Sequence, residues 1–459
     1  MKNKFVNYIP FLIIFFIVLN YLLNLLKHDL LANLNLFDIV GGLLLFAFIY
    51  NAGNIIDQLF AFKNISISIV LYLFSFYVLD IVILFFYKYM TFRELFLIVN
   101  LIWILTYLIK KREVKYLVFG SLEYITLNLF VERNVSALTV NQNIIGDVEA
   151  VFFEQTKNIF EISYYFSINN YVMEGYPQFT SYLQALFLQI ANFSTIYNYF
   201  SFTSHIVFYL TILFFIELNL AKKNKIILIT LFVALIGNSD WIQFLFTTSL
   251  MSEGLVSLIT AIVINNIFNQ TSSNKVTEKM SFILLGMMYL SKQFNSTIVL
   301  IFFIAFIFYR KRKNLVFFGF AGFLINELAF MLIFPNVSSE HHIRQIDLKD
   351  TIFDLFLFRD LKFENILLII KNLWIDKPFV LVIVIFYITF VKSVLENTNL
   401  DFKFYSIFLS VNLNFLLIFA LYISAWKNME LESPIRYMFN MLHLTLISIF
   451  INLEKSYKL

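Results

Sequence analysis

Residues 65–86 read ISISIVLYLFSFYVLDIVILFF, twenty-two positions in which Asp80 is the single charged residue. A hydrocarbon bilayer core takes about 20 apolar residues per helical crossing, so this run predicts one transmembrane helix. The rest of the chain repeats the pattern. Comparable runs are Tyr8 to Leu26, Phe37 to Phe60, Leu95 to Ile109, Tyr116 to Val131, Tyr199 to Leu220, Ile226 to Ile236 and Leu255 to Phe268. Further along are Ser281 to Leu290, Ser296 to Tyr309, Leu315 to Phe334, Phe379 to Val394, Tyr405 to Trp426 and Ile435 to Leu453. The expectation is an all-α integral membrane protein with about 14 crossings (12–14), the two shortest runs being candidates for re-entrant segments.

Composition says the same. Of 459 residues, 60% are hydrophobic and 14% charged, where an average soluble domain has about 25% charged. Phe occurs 59 times, more aromatic surface than a water-soluble fold of this length can hide. There is no cysteine, which excludes disulfides, thiolate metal sites and thiol nucleophiles. The net charge is +4, with Lys and Arg in short clusters between apolar runs rather than on one basic face, so no nucleic-acid partner is expected.

Orientation follows from the short loops, because Lys and Arg stay on the cytoplasmic side. The clusters Lys110, Lys111, Arg112 and Lys115, then Lys222, Lys223 and Lys225, then Arg310, Lys311, Arg312 and Lys313 all fall on one face in the fourteen-crossing reading. Lys2, Lys4, Lys455 and Lys458 join them. The first run is about 19 residues long and no small-x-small cleavage pattern follows it, so it reads as a retained anchor. The opposite face receives two long polar segments, 132–198 and 335–378, within a single polytopic domain, 1–459, that shows no fixed-period repeat.

The first long segment, after the fifth crossing, carries two helix-start signals. Asp147 after Gly146 suits the N-cap of a helix to Ile162, and Pro177 suits the first turn of a helix to Ile190. Asp147, Glu154, Lys157 and Glu161 form one stripe of the first helix. Phe179, Tyr182, Leu183, Leu186 and Ile190 form the apolar face of the second. Both helices are therefore expected to lie at the membrane surface and to roof the bundle.

A carboxylate just beyond a crossing, a short helix ending in Lys, and a Tyr-Pro opening a second helix resemble the first external loop of polytopic glycosyltransferases of the GT-C superfamily. The matching stretches are Gly146-Asp147, Gln155-Thr156-Lys157 and Gly175-Tyr176-Pro177. Leu290-Ser291-Lys292-Gln293 and Glu432-Ser433-Pro434-Ile435-Arg436-Tyr437 resemble two further family segments. Gly146 stands where the family pattern has Trp, and Phe294 where Gly is usual. The resemblance implies a polyprenyl-phosphate-linked sugar as donor, a glycan, lipid or protein as acceptor, and a site on the periplasmic or extracellular side of a bacterial inner membrane.

That chemistry needs a base for the acceptor hydroxyl and cations for the phosphate that leaves. Asp147 is the candidate base. Lys292 and Arg436 are candidate phosphate ligands, Arg through two donors at once. Glu149, Lys157 and Tyr176 complete the candidate substrate-binding set. Glu149 lies about 200° around the helix from Asp147 and does not point to the same place.

Each residue also has a plainer reading. Asp147 is an ordinary N-cap, Glu149 a favourable acid at a helix start, Lys157 part of a solvated stripe and Tyr176 a structural neighbour of Pro177. Arg436 can snorkel to the interface, whereas Lys292 sits in an otherwise apolar hairpin, where an ammonium is costly unless paired or hydrated. His341 and His342 are adjacent and do not face one point, so no metal site is assigned. No cofactor is assigned, and a divalent metal has no support from residue spacing. Asp80, Glu123, Glu217 and Glu327 fall within crossings, where ionisable groups are functional candidates by default. Two other functions stay open: a lipid-linked oligosaccharide polymerase or ligase, and a transporter or lipid flippase, which predicts pseudo-symmetric halves.

Overall fold

In the computed structural model the described residues are 9–27, 36–86, 92–111, 183, 200–239, 242, 253–269, 275–287, 313–333, 366–367, 370–371, 376–396, 402–424 and 438–457. All the regular structure among them is helical. The helices are α1 (Ile9–Lys27), α2 (Leu36–Phe60), α3 (Ile65–Phe86), α4 (Phe92–Lys111), α5 (Phe200–Glu217) and α6 (Lys222–Asn238). They continue with α7 (Glu253–Asn269), α8 (Lys275–Met287), α9 (Lys313–Ile333), α10 (Lys377–Leu395), α11 (Phe402–Ser424) and α12 (Leu442–Tyr457), the last preceded by a 3₁₀ turn at Phe439–Met441. Twelve expected runs thus coincide with helices, and 65–86 does so at both ends. The runs Tyr116 to Val131 and Ser296 to Tyr309 lie outside the described residues.

Two helices form the centre. Every residue of α7 from 254 to 267 and every residue from 438 to 450 is buried. An all-round hydrophobic helix is stable only when neighbours cover every side. Here α7 packs against α3, α5, α8 and α12, while α12 is flanked by α10, α11, α6 and α7. Around them α2 packs on α3, α4 and α5, α1 packs on α6, and α8 packs on α9. The α8–α9 crossing is close because glycines face it. A Cβ on Gly286 would stand 3.0 Å from the Phe323 backbone nitrogen, and one on Gly322 would stand 3.1 Å from that of Met287. Small residues allow this approach of one backbone to another.

The outer faces are apolar as well. On α1 the exposed large apolar side chains are Leu12, Phe15, Phe16, Leu19 and Leu22, and on α4 they are Leu97, Leu101, Ile102, Leu105 and Ile109. On α9 they are Phe317, Phe320 and Leu324, and on α11 Tyr405, Leu409 and Leu416. These spacings of three and four trace one stripe along each helix. Phe317 is 70% and Ile109 80% exposed, far from what a water-facing helix shows. Among the described residues Lys377–Leu395 is long and apolar enough to cross a membrane alone. The segments Leu45–Phe60 and Ile65–Leu79, bent by 102°, meet the same test as a pair.

Candidate functional site

Three polar groupings of the described bundle bear on function, one at each end and one around a buried histidine. At the first end, α2, α4 and α5 finish and α3 begins. Residues 61–64 turn the chain between α2 and α3 through left-handed backbone at Ala61 (φ 56°) and Lys63 (φ 64°). This turn brings the N–H groups of Lys63, Asn64 and Phe62 near the Asp57 carboxylate, whose Oδ1 is buried without a hydrogen-bond partner among the described residues. The Glu217 carboxylate at the end of α5 accepts from the backbone N–H of Ile65 and Ser66 and from the Ser66 hydroxyl. A helix start leaves its first N–H groups unpaired and carries partial positive charge, so a carboxylate there is held by both effects. From α4, Lys110 Nζ donates to the Leu59 carbonyl and Tyr107 OH donates to Gln58 Oε1 at 2.9 Å.

Glu217 therefore has a full structural explanation: it is the cap of α3, supplied from a helix about 150 positions away. Of the other ionisable residues expected within crossings, Asp80 and Glu327 fall in α3 and α9, and Glu123 lies outside the described residues.

At the second end, α6 finishes and α10 begins. Asp376 caps α10, accepting from Phe379 N–H at 3.0 Å through Oδ1, with Pro378 in the first turn. Its Oδ2 accepts from the Ser239 hydroxyl, and Ser239 Oγ in turn accepts from Ile242 N–H at 2.9 Å. One residue earlier, Asn238 Nδ2 donates to the Ile17 carbonyl at 3.2 Å and its Oδ1 accepts from Asn20. The Phe379 and Phe439 rings pack with centroids 4.5 Å apart. Asp376 is 3% exposed, and Asn440, beside Phe439, is fully buried with no hydrogen-bond partner on either amide atom.

This second end is the candidate functional site, because the described flanks of two expected segments meet there. Asp376 closes the long segment 335–378. Phe439 follows Arg436 by three positions, so the flank of the Arg436 motif packs on the flank of that segment. Sequence reasoning passed over Asp376, although Asp-Lys-Pro ahead of an apolar run is an N-cap followed by a first-turn proline. Ser239 had no comparable signal, since its partner is remote in sequence.

Between the two ends, His443 of α12 is fully buried. Its backbone N–H donates to Ser257 Oγ at 3.1 Å, so the serine hydroxyl hydrogen is left for Nδ1 at 2.9 Å. Thr211 Oγ1 donates to the Val207 carbonyl at 2.8 Å and accepts from Nε2 at 3.1 Å. The pattern assigns a neutral ring with its proton on Nε2. Phe215 and Phe232 flank it. Fully buried, and bonded to Ser257 of α7 and Thr211 of α5, His443 joins α5, α7 and α12.

The expected site residues Asp147, Glu149, Lys157, Tyr176, Lys292 and Arg436 all lie outside the described residues, as do His341 and His342. Leu183, from the apolar face expected for 177–190, is helical and buried in the core. Among the described residues no group of three His, Asp or Glu side chains is placed to hold a metal ion. No protein-family model matches the chain, and no curated protein or solved structure matches it either.

Proposed function

We propose that the chain is an integral membrane glycosyltransferase of the GT-C type. It has about 14 crossings and transfers a sugar from a polyprenyl-phosphate carrier to an acceptor hydroxyl on the non-cytoplasmic face. The observation that carries the membrane part is the pairing of two all-round buried helices with apolar outer stripes on α1, α4, α9 and α11. A soluble bundle buries one face of each outer helix and wets the other. Here both faces are apolar, which suits lipid.

The transfer part rests on the order of motifs in 146–177, 290–293 and 432–437. In support, the described flanks of 335–378 and 432–437 pack together at the end opposite Lys110 and Lys222, where the donor's head group would meet the acceptor. In this reading Asp147 takes the proton from the acceptor hydroxyl as its oxygen attacks the anomeric carbon. The bond from that carbon to the phosphate oxygen breaks, and Arg436 and Lys292 stabilise the charge on the departing polyprenyl phosphate. Glu149, Lys157 and Tyr176 line the sugar and acceptor.

The test is Asp147→Asn, assayed for sugar transfer in membranes supplied with a labelled lipid-linked donor. Loss of transfer with normal protein levels is the expected result. Undiminished transfer removes Asp147 as the base, and relocation of intact donor without release of polyprenyl phosphate identifies a flippase instead.

A further inference from the structure

The end at which α2, α4 and α5 finish carries more than helix caps. Lys110 reaches the Leu59 carbonyl there, and Glu217 ties the end of α5 to the start of α3. Ala221 N–H donates to the two Glu454 oxygens at 3.2 and 3.3 Å, which brings the end of α12 and the start of α6 to the same edge. Lys63, Lys110, Lys222, Lys223 and Lys225 therefore share one end, and the first four are exposed. Among the described carboxylates at this end, Asp57, Glu217 and Glu454 face backbone N–H groups, while Glu278 in the first turn of α8 is buried and Glu396 ends α10, so the exposed charge of the edge is that of the lysines.

The lysines stand where the apolar stripes stop. Ile109 precedes Lys110 at the end of the α4 stripe, and exposed Ile226 lies four residues beyond Lys222, on the same face of α6. Hydrocarbon-facing side chains thus give way to exposed ammonium groups within one helical turn, at the depth where a bilayer changes from acyl chains to phosphate. The start of α6 has no acidic residue in its own first turn and is met by the Glu454 carboxylate at Ala221, so the attraction for anions at this edge rests on the lysine side chains.

We propose that this edge binds the headgroups of anionic phospholipids, a partner beyond the donor and acceptor of the transfer reaction. The proposal rests on the membrane reading above and not on the transferase reading. Basic residues at a membrane surface attract anionic lipid additively, and the cytoplasmic leaflet supplies it.

The test uses the full chain purified in neutral detergent, with lipid retention measured by native mass spectrometry after addition of phosphatidylglycerol or phosphatidylcholine. Retention favouring phosphatidylglycerol is expected, with the preference falling about thirtyfold in Lys222→Gln/Lys223→Gln, the additive effect of two basic residues. Lys222→Arg/Lys223→Arg, which keeps the charge, is expected to keep the preference and serves as the folding control. Equal retention of the two lipids, an unchanged preference in the glutamine variant, or equal displacement of lipid by inorganic phosphate overturns the proposal. A chain that retains neither lipid and stays in the aqueous phase without detergent overturns the membrane reading along with it.

Discussion

Glu217 and Ile65, 152 positions apart, meet at 2.6 Å, the carboxylate of α5 accepting from the first N–H of α3. With the Ser66 N–H at 3.1 Å and the Ser66 hydroxyl, this junction holds α5 against the α2–α3 bend. Hydrogen bonds to a charged group contribute about 1.5–3 kcal/mol, so Glu217→Ala is expected to cost about 2 kcal/mol. Glu217→Gln, which keeps one acceptor, should cost less. Thermal unfolding of the two variants in detergent checks the order, and equal midpoints for wild type and Glu217→Ala would remove the junction from the stability of the fold.

The bend itself stores strain at Ala61. A residue with a Cβ at φ 56° costs about 1 kcal/mol relative to glycine, which adopts that conformation freely. Ala61→Gly is therefore expected to raise the unfolding midpoint. Ala61→Val, whose branched side chain resists left-handed backbone, should lower it. A fall on substitution by glycine would show that the Ala61 methyl group contributes more than the strain it causes.

At the α8–α9 crossing the sign reverses. Added Cβ atoms at Gly286 and Gly322 meet backbone, which cannot rotate away. Gly286→Ala is expected to destabilise by about 1–3 kcal/mol, and Gly286→Leu by more. Accessibility of cysteines introduced along the outer face of α9 would report the parting of the helices. Unchanged accessibility and stability would mean that the crossing tolerates a wider spacing.

The helices were legible in the sequence because a bilayer-length apolar run has few other solutions, as 65–86 shows. Which way those helices face was not. In α7 residues 254–267 are buried on every side, whereas in α1 Phe15 and Phe16 face outward, yet both runs are predominantly apolar all round. Periodicity reports the contrast between oil and water, and in the membrane proposed above that contrast vanishes at the outer faces. The last run was expected from Ile435; 435–437 lie outside the described residues, Met438 is helical, and a 3₁₀ turn at Phe439–Met441, which periodicity does not announce, precedes α12. Partners such as Ser239 for Asp376 or Glu217 for Ile65 depend on how helices are arranged. No local spacing encodes that.

Asp376 separates structural from chemical roles at the candidate site. As the cap of α10 it needs acceptor oxygens rather than a charge. Asp376→Asn is expected to keep sugar transfer within about a few-fold of wild type, whereas Asp376→Ala should lose about 1 kcal/mol of stability. If Asp376→Asn abolishes transfer while leaving the unfolding midpoint unchanged, its carboxylate has a chemical role and displaces Asp147 as the leading base.

His443 and Ser257 allow a sharper test of the core, because each is the other's partner inside a fully buried network. His443→Phe keeps an aromatic ring between Phe215 and Phe232 but strips the serine hydroxyl of its acceptor. Leaving one buried polar partner behind costs about 1–3 kcal/mol, while removing both can be nearly neutral. Ser257→Ala alone strands Nδ1 in the same way. The double variant His443→Phe/Ser257→Ala is therefore expected to be more stable than the sum of the single losses, with a coupling of about 1 kcal/mol or more. Strict additivity in thermal unfolding would mean that the imidazole contributes by packing alone, and the tie between α7 and α12 would then reside in their apolar contacts.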